Sequence, residues 1–161
     1  MPNLRLPSAA VPSRPPARIR LAVVSPAAQP PDGLGWLHEI KHDGHRLVVT
    51  LDGLGGLKLI SRNVRDRTPL FREPFHELLG LGREIVLDGE IAVPDDRGVT
   101  HISDLQDAIA HRRPERLAYF AFDLLHLDGH VLRGCPIEIG RNSSGRFSTM
   151  PIVRGCFTSI T

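Results

Sequence analysis

With 161 residues, of which 41% are hydrophobic, the chain suits one modest domain and is too apolar for wholesale disorder. A formal net charge of +2 and a pI near 8.8 permit a polyanionic partner without requiring one. No apolar run approaches the length of a membrane span, and IRLAVV is too short for a signal-peptide core, so a cytoplasmic protein with no membrane partner is expected.

The first 34 residues hold eight of the fourteen prolines. Proline fixes φ and removes a donor, so 1–34 reads as a disordered, Pro-rich arm with one short strand at 19–24. Folding is expected to begin near Trp36, with WLHEI as a strand leading into Lys41. LVVTLD (47–52) and LKLIS (57–61) flank GLGG and predict a hairpin with a glycine-rich turn. Phe71, Phe75, Leu78 and Leu79 follow a helical spacing that Gly80 stops, with Pro74 tolerable only in a first turn.

EIVLDG and EIAVP predict a bent strand or strand pair around Asp88–Gly89. Ser103 and Gln106 stand at capping-box spacing ahead of apolar Leu105, Ala108 and Ile109. RLAYFAFDLLHL (116–127) is strongly β-forming, and the Asp-Gly pair after it closes a turn. The pattern is α+β with a mostly antiparallel sheet. GLGG lacks the strand–helix context of a dinucleotide fingerprint. Residues 139–161 hold no acidic residue and sustain no period, which predicts an irregular tail. Cys135 and Cys156 offer no metal spacing and no reason to expect a disulfide.

Candidate chemistry starts with HEIKHDGHR (38–46). The chain has two lysines, Lys41 and Lys58, against eighteen arginines. A free lysine has a pKa of about 10.4, so a nucleophilic one needs nearby positive charge or desolvation to shed its proton. Taken alone, KHDG reads more simply as a solvated lysine before an Asp-Gly turn. SRN (61–63) sets a hydroxyl, a guanidinium and an amide after a strand. LDGE (87–90) reads as two carboxylates projecting from a turn at a strand end. YFAFDLL (119–125) joins aromatics to a buried-looking acid. Each has a plain alternative: Arg62 as solvated loop, Asp88 as turn former, Phe122 as core.

In this order, Lys-x-Asp-Gly-x-Arg, Ser-Arg-Asn, Asp-Gly-Glu and Phe-Asp-Leu-Leu resemble the covalent nucleotidyltransferase superfamily. The likeness is greatest to ATP-dependent DNA ligases. GWLHEIKHDGHRL, SRNVRDRT and YFAFDLLHLDG look like the ligase domain of bacterial DNA ligase D, and the resemblance spans roughly residues 29–138. It implies an antiparallel-sheet-rich, ATP-grasp-like adenylation domain over 35–138. It further implies ATP with Mg²⁺ or Mn²⁺ as cofactors, nicked or broken double-stranded DNA as substrate, Ku as a partner and a place at the nucleoid.

Residue by residue, the resemblance makes Lys41 the acceptor of AMP from ATP, with pyrophosphate released. Glu39 matches the residue that reads the adenine amino group, and Arg46 and Arg62 match contacts to nucleotide and phosphate. Glu90 matches the acid on the ribose and metal side, and Phe122 the aromatic that packs on adenine. Asp43, Gly44 and Asp88 belong to the same motifs as supporting residues.

The family pattern continues with a Glu-Gly metal motif, a Lys-x-Lys motif and an OB-fold domain. No Glu-Gly pair lies downstream of YFAFDLL here, and no lysine follows Lys58. The expectation is a C-terminally truncated ligase gene with an out-of-frame tail over 139–161, testable by reading the other frames past codon 138. A catalytically dead remnant with weak nucleotide or DNA binding is the competing reading. An RNA ligase or capping guanylyltransferase is a third, separable by adenine against guanine preference.

Overall fold

The strands among the described residues all join one antiparallel sheet. The computed structural model describes residues 6, 8–15, 19, 21, 28–30, 40–135 and 150–152. Its strands are β1 (Val11–Pro12), β2 (His45–Asp52), β3 (Leu57–Ser61), β4 (Glu84–Ala92), β5 (Ala118–Leu127), β6 (His130–Val131) and β7 (Met150–Ile152). The order is β1-β6-β5-β4-β2-β3, with β7 also pairing β5. The antiparallel α+β expectation is borne out.

The β2–β3 hairpin forms as expected, in the register Leu47↔Ser61 to Leu51↔Leu57. Asp52 organises its glycine-rich turn, accepting from the amides of Leu54 and Gly56 at 2.8 Å each. The Asp-Gly pair after β5 turns with φ 42° at Asp128 and 76° at Gly129, the left-handed pair that suits a tight hairpin.

Residues 84–92 make one strand rather than a pair, because Asp88 and Gly89 stay in the ladder opposite Val48 and Leu47. The irregularity falls on the partner: pairing with β5 shifts at Val86/Leu87 and at Asp88/Gly89, leaving Leu125 and Phe122 as the extra residues. The expected single helix near residue 75 is split into α1 (Thr68–Phe71), a 3-10 turn (Glu73–Phe75) and α2 (His76–Leu79). Pro69 and Pro74 each open a piece, since a proline inside a helix would remove a bond and clash. The apolar spacing survives, and Phe71, Phe75 and Leu78 are all buried.

The helix α3 runs from Ile102 to Ala110 with His101 as N-cap and no side-chain cap of its own. Ser103 therefore lies inside the helix, and the capping-box expectation is corrected. In the N-terminal arm the strand is Val11–Pro12, paired with β6. Ile19 and Leu21 are not strand, and most of the strand expected at 19–24 lies outside the described residues. So do Trp36 and most of the expected WLHEI strand. In the tail, Met150–Ile152 pair with Tyr119–Ala121 and are not irregular.

Alternation gives the sheet two faces. Leu47, Val49, Leu59, Ile85 and Ile91 meet Phe71, Phe75, Leu78 and Leu105 in the main core. On the opposite face Val48, Val86 and Leu125 form a small cluster partly covered by Ile19 and Leu21. No helix among the described residues is long and apolar enough to cross a membrane.

Candidate functional site

The segment 40–44 enters the sheet with no regular structure, and Ile40 and Lys41 are both exposed. Contacts from distant parts of the chain fix the residues after them. The His42 ring stacks on Phe120, with centroids 3.7 Å apart and planes 15° from parallel. The Asp43 amide donates to Thr100 Oγ1 at 2.7 Å, and Asp43 Oδ2 accepts from the Ile102 amide at 3.2 Å. The Gly44 amide lies near the Glu90 carboxylate and favours its ionised form. Gly44 has to be glycine here, because a Cβ would stand 2.1 Å from the Ile91 carbonyl oxygen.

The next residues lie on the polar face of the sheet. Register sets Arg46, Glu90 and Phe120 in one row across β2, β4 and β5, with Asp88 one row further along β4. LDGE is thus not a turn at a strand end. Asp88 and Glu90 are alternate residues of one strand and share a face. Asp88 is 3% exposed. Its carboxylate accepts from Arg46 Nε at 2.9 Å and from Arg46 Nη2 at 2.6 Å, a bidentate pair. The same guanidinium lies 5.4 Å from the centre of the Phe122 ring. The Asp88 hydrogen bond raises the Arg46 pKa further, so that cation is permanent.

Phe122 is 38% exposed and is not the core residue that most strand phenylalanines are. It is the unpaired residue of a bulge, a device that re-aims a side chain out of the regular alternation. Asp123, read as buried, is exposed.

Burial raises the Glu90 pKa above its ordinary 4.5, against the Gly44 amide and the charges of Arg46 and Lys41. Desolvation lowers the His42 pKa, and both its ring nitrogens are buried with no hydrogen-bond partner among the described residues. Desolvation and Arg67 lower His45. Beneath the row, Tyr119 donates its hydroxyl to the Leu47 carbonyl at 2.9 Å, crossing at Gly89 where a Cβ would meet its ring at 2.6 Å.

The structure therefore gathers Lys41, Asp43, Gly44, Arg46, Asp88, Glu90 and Phe122. Arg62 sits in the exposed turn after β3, and among the described residues no hydrogen bond or ion pair joins it to the cluster. Glu39 lies outside the described residues. Sequence reasoning missed Thr100 and the His42–Phe120 stack. Neither carries a local signal, since each depends on a contact over more than fifty residues. It also read Asp88 as a motif companion and not as the partner of Arg46. The alternation of β2 against β4 was the signal for that pair.

A family model for the ATP dependent DNA ligase domain matches residues 26–143. The chain is 37% identical over 111 residues to the multifunctional non-homologous end joining protein LigD of Pseudomonas aeruginosa, covering 68% of this chain and 13% of that protein. It is 41% identical over 102 residues to LigD of Mycobacterium tuberculosis, covering 62% of this chain and 13% of that one. A DNA ligase of Natronomonas pharaonis is 31% identical over 137 residues, covering 76% of this chain and 24% of that protein. The crystal structure of the M. tuberculosis LigD ligase domain superposes with a TM-score of 0.51 at 37% identity, covering 63% of this chain and 33% of that one. The chain thus spans a small part of the length of these relatives. Their agreement, with the motif residues on one face of the sheet, means that the chain belongs to the ATP-dependent DNA ligase domain family.

Proposed function

We propose that this chain carries the AMP-accepting site of an ATP-dependent DNA ligase, with Lys41 as the acceptor. The observation that supports this best is the convergence of the Lys41 segment on Glu90, the Arg46–Asp88 pair and Phe122. In the proposed step Lys41 Nζ forms a bond to the α-phosphorus of ATP and loses its proton. The bond from that phosphorus to the bridging oxygen breaks, and pyrophosphate leaves. Such transfers depend mainly on positioning and on charge placed where it develops.

Arg46, locked by Asp88, supplies a fixed positive charge at the phosphates, and Arg62 is assigned a second phosphate contact. Phe122 offers its ring face to adenine, and Glu39 reads the adenine edge. Glu90 faces the ribose. The described residues contain no group of three His, Cys, Asp or Glu that could hold a metal. A Mg²⁺ or Mn²⁺ would be held chiefly by the triphosphate, the usual mode for Mg²⁺, with the Glu90 carboxylate as one protein ligand. The metal would supply charge neutralisation.

Nicked or broken DNA is the proposed recipient of the AMP, which passes to a 5′-phosphate; a 3′-hydroxyl then attacks that phosphorus, loses its proton and displaces AMP as the phosphodiester forms. The end-joining relatives support double-strand break repair as the setting, and Ku as the partner that would bring ends rests on the family resemblance alone. The test is incubation of the purified chain with Mg²⁺ and ATP labelled at the α-phosphate. Covalent label that is absent from Lys41→Ala is expected, and label retained by that variant would overturn the assignment.

A further inference from the structure

The proposed nucleophile lies in a stretch with no hydrogen-bonded regularity of its own. Its position is therefore set by whatever grips the residues beside it. One grip is Thr100, which lies outside all four motif clusters. Thr100 is 8% exposed and sits at the end of the connection between β4 and α3, bridged to Pro94. Its Oγ1 accepts from the Asp43 amide at 2.7 Å, two residues from Lys41 and fifty-seven from itself. The second grip adjoins it. The Asp43 carboxylate accepts from the Ile102 amide at the first residue of α3, a helix whose N-cap, His101, makes no side-chain cap bond. The nucleophile segment thus caps α3, and the start of α3 together with Thr100 holds the nucleophile segment.

We infer that Thr100 is a positioning residue for adenylylation, acting through Asp43 on Lys41. This rests on the proposed role of Lys41. The hydroxyl is an acceptor for an amide that has no strand partner. Without it, that amide must find water or shift in a part-buried place, and the backbone carrying Lys41 shifts with it. A reacting group displaced by about 1 Å can lose about a hundredfold in rate. The ATP contacts assigned to Arg46, Glu90 and Phe122 lie within β2, β4 and β5, which the sheet itself holds, whereas Thr100 meets only the segment before β2 and Pro94 beyond β4. The effect should therefore fall on the chemical step and leave nucleotide binding intact.

The experiment compares Thr100→Val, which keeps the shape and removes the acceptor, with Thr100→Ser, which keeps the acceptor. Three quantities are measured on the purified chain: single-turnover AMP adduct formation against ATP concentration, thermal midpoint, and amide hydrogen exchange at Asp43. The expected result for Thr100→Val is a rate lowered by about tenfold to a hundredfold. Its half-saturating ATP should be unchanged, with faster exchange at Asp43 and unchanged exchange in β2, β4 and β5. Thr100→Ser should restore rate and protection. A Thr100→Val protein with wild-type rate overturns the inference, as does an equal loss in Thr100→Ser or a loss confined to half-saturating ATP. If the wild-type chain forms no adduct, the role of Lys41 fails on its own. Exchange then still decides the grip, because unchanged protection of Asp43 in Thr100→Val would refute it.

Discussion

On one face of the sheet, Leu47, Val49, Ile85 and Ile91 lie under Phe71, Phe75 and Leu105, and almost every side chain is apolar. On the other face, at the same end of β2 and β4, Arg46, Asp88, Glu90 and Phe122 share a few rows of the ladder. The first arrangement gains from burial at about 25 cal/mol per Å² of apolar surface. The second takes charged groups partly out of water and recovers the loss through mutual hydrogen bonds, a trade that rarely adds net stability. One face holds the fold, and the other spends some of that stability on charges at fixed positions.

Phe75→Ala should strike hardest at the first face. The ring is fully buried and meets Tyr119 edge-on at 5.1 Å, so its loss should cost about 3–5 kcal/mol in denaturant unfolding. On the polar face, Arg46→Ala leaves the Asp88 carboxylate buried without its partner. A loss of about 2–3 kcal/mol is expected. Replacing both as Arg46→Met with Asp88→Leu should recover much of that stability while reducing nucleotide binding. A double variant no more stable than Arg46→Ala would show that the pair is a net stabiliser and that the contrast between faces is wrong.

His42 and Glu90 test the same contrast with opposite signs. The folded pKa of His42 is lowered by burial. The unfolded chain therefore takes up the proton first, and stability falls as pH drops below about 6.5. His45, lowered for the same reason, adds to that slope. His42→Phe removes two buried nitrogens that have no hydrogen-bond partner among the described residues while keeping a ring on Phe120. Melts against pH should show a higher midpoint and a shallower acid slope.

For Glu90 the folded pKa is raised, so its unfolded form ionises first. Its contribution is lost as pH rises through the ordinary value near 4.5 to the raised one. Glu90→Gln should leave the neutral-pH midpoint unchanged or slightly higher while weakening ATP binding. A lower midpoint would mean that the charges of Lys41 and Arg46 outweigh desolvation.

The two faces were unequally legible in the sequence. The β2–β3 hairpin, β5 and the Asp128–Gly129 turn follow from period-two alternation and turn chemistry, both local signals. The broken helix needed only the rule that Pro69 and Pro74 cannot sit mid-helix, yet apolar spacing alone suggests continuity. The polar site was legible as a set of residue types. Its wiring was not, because Arg46–Asp88, Asp43–Thr100 and His42–Phe120 join residues more than forty positions apart. The bulge that turns Phe122 outward is a property of β4 and β5 together. Ser103 misled because a capping-box spacing is satisfied on paper wherever Ser and Gln stand three apart, whereas the N-cap here is His101, two residues earlier, and the helix takes its side-chain cap from Asp43.

With only two lysines in the chain, the central claim has a direct test. The purified protein is incubated with ATP and Mg²⁺, digested, and the AMP-bearing peptide is mapped by tandem mass spectrometry. The account predicts AMP on Lys41, with Lys58 unmodified. AMP on Lys58, or no adduct on a chain shown to be folded, would contradict it.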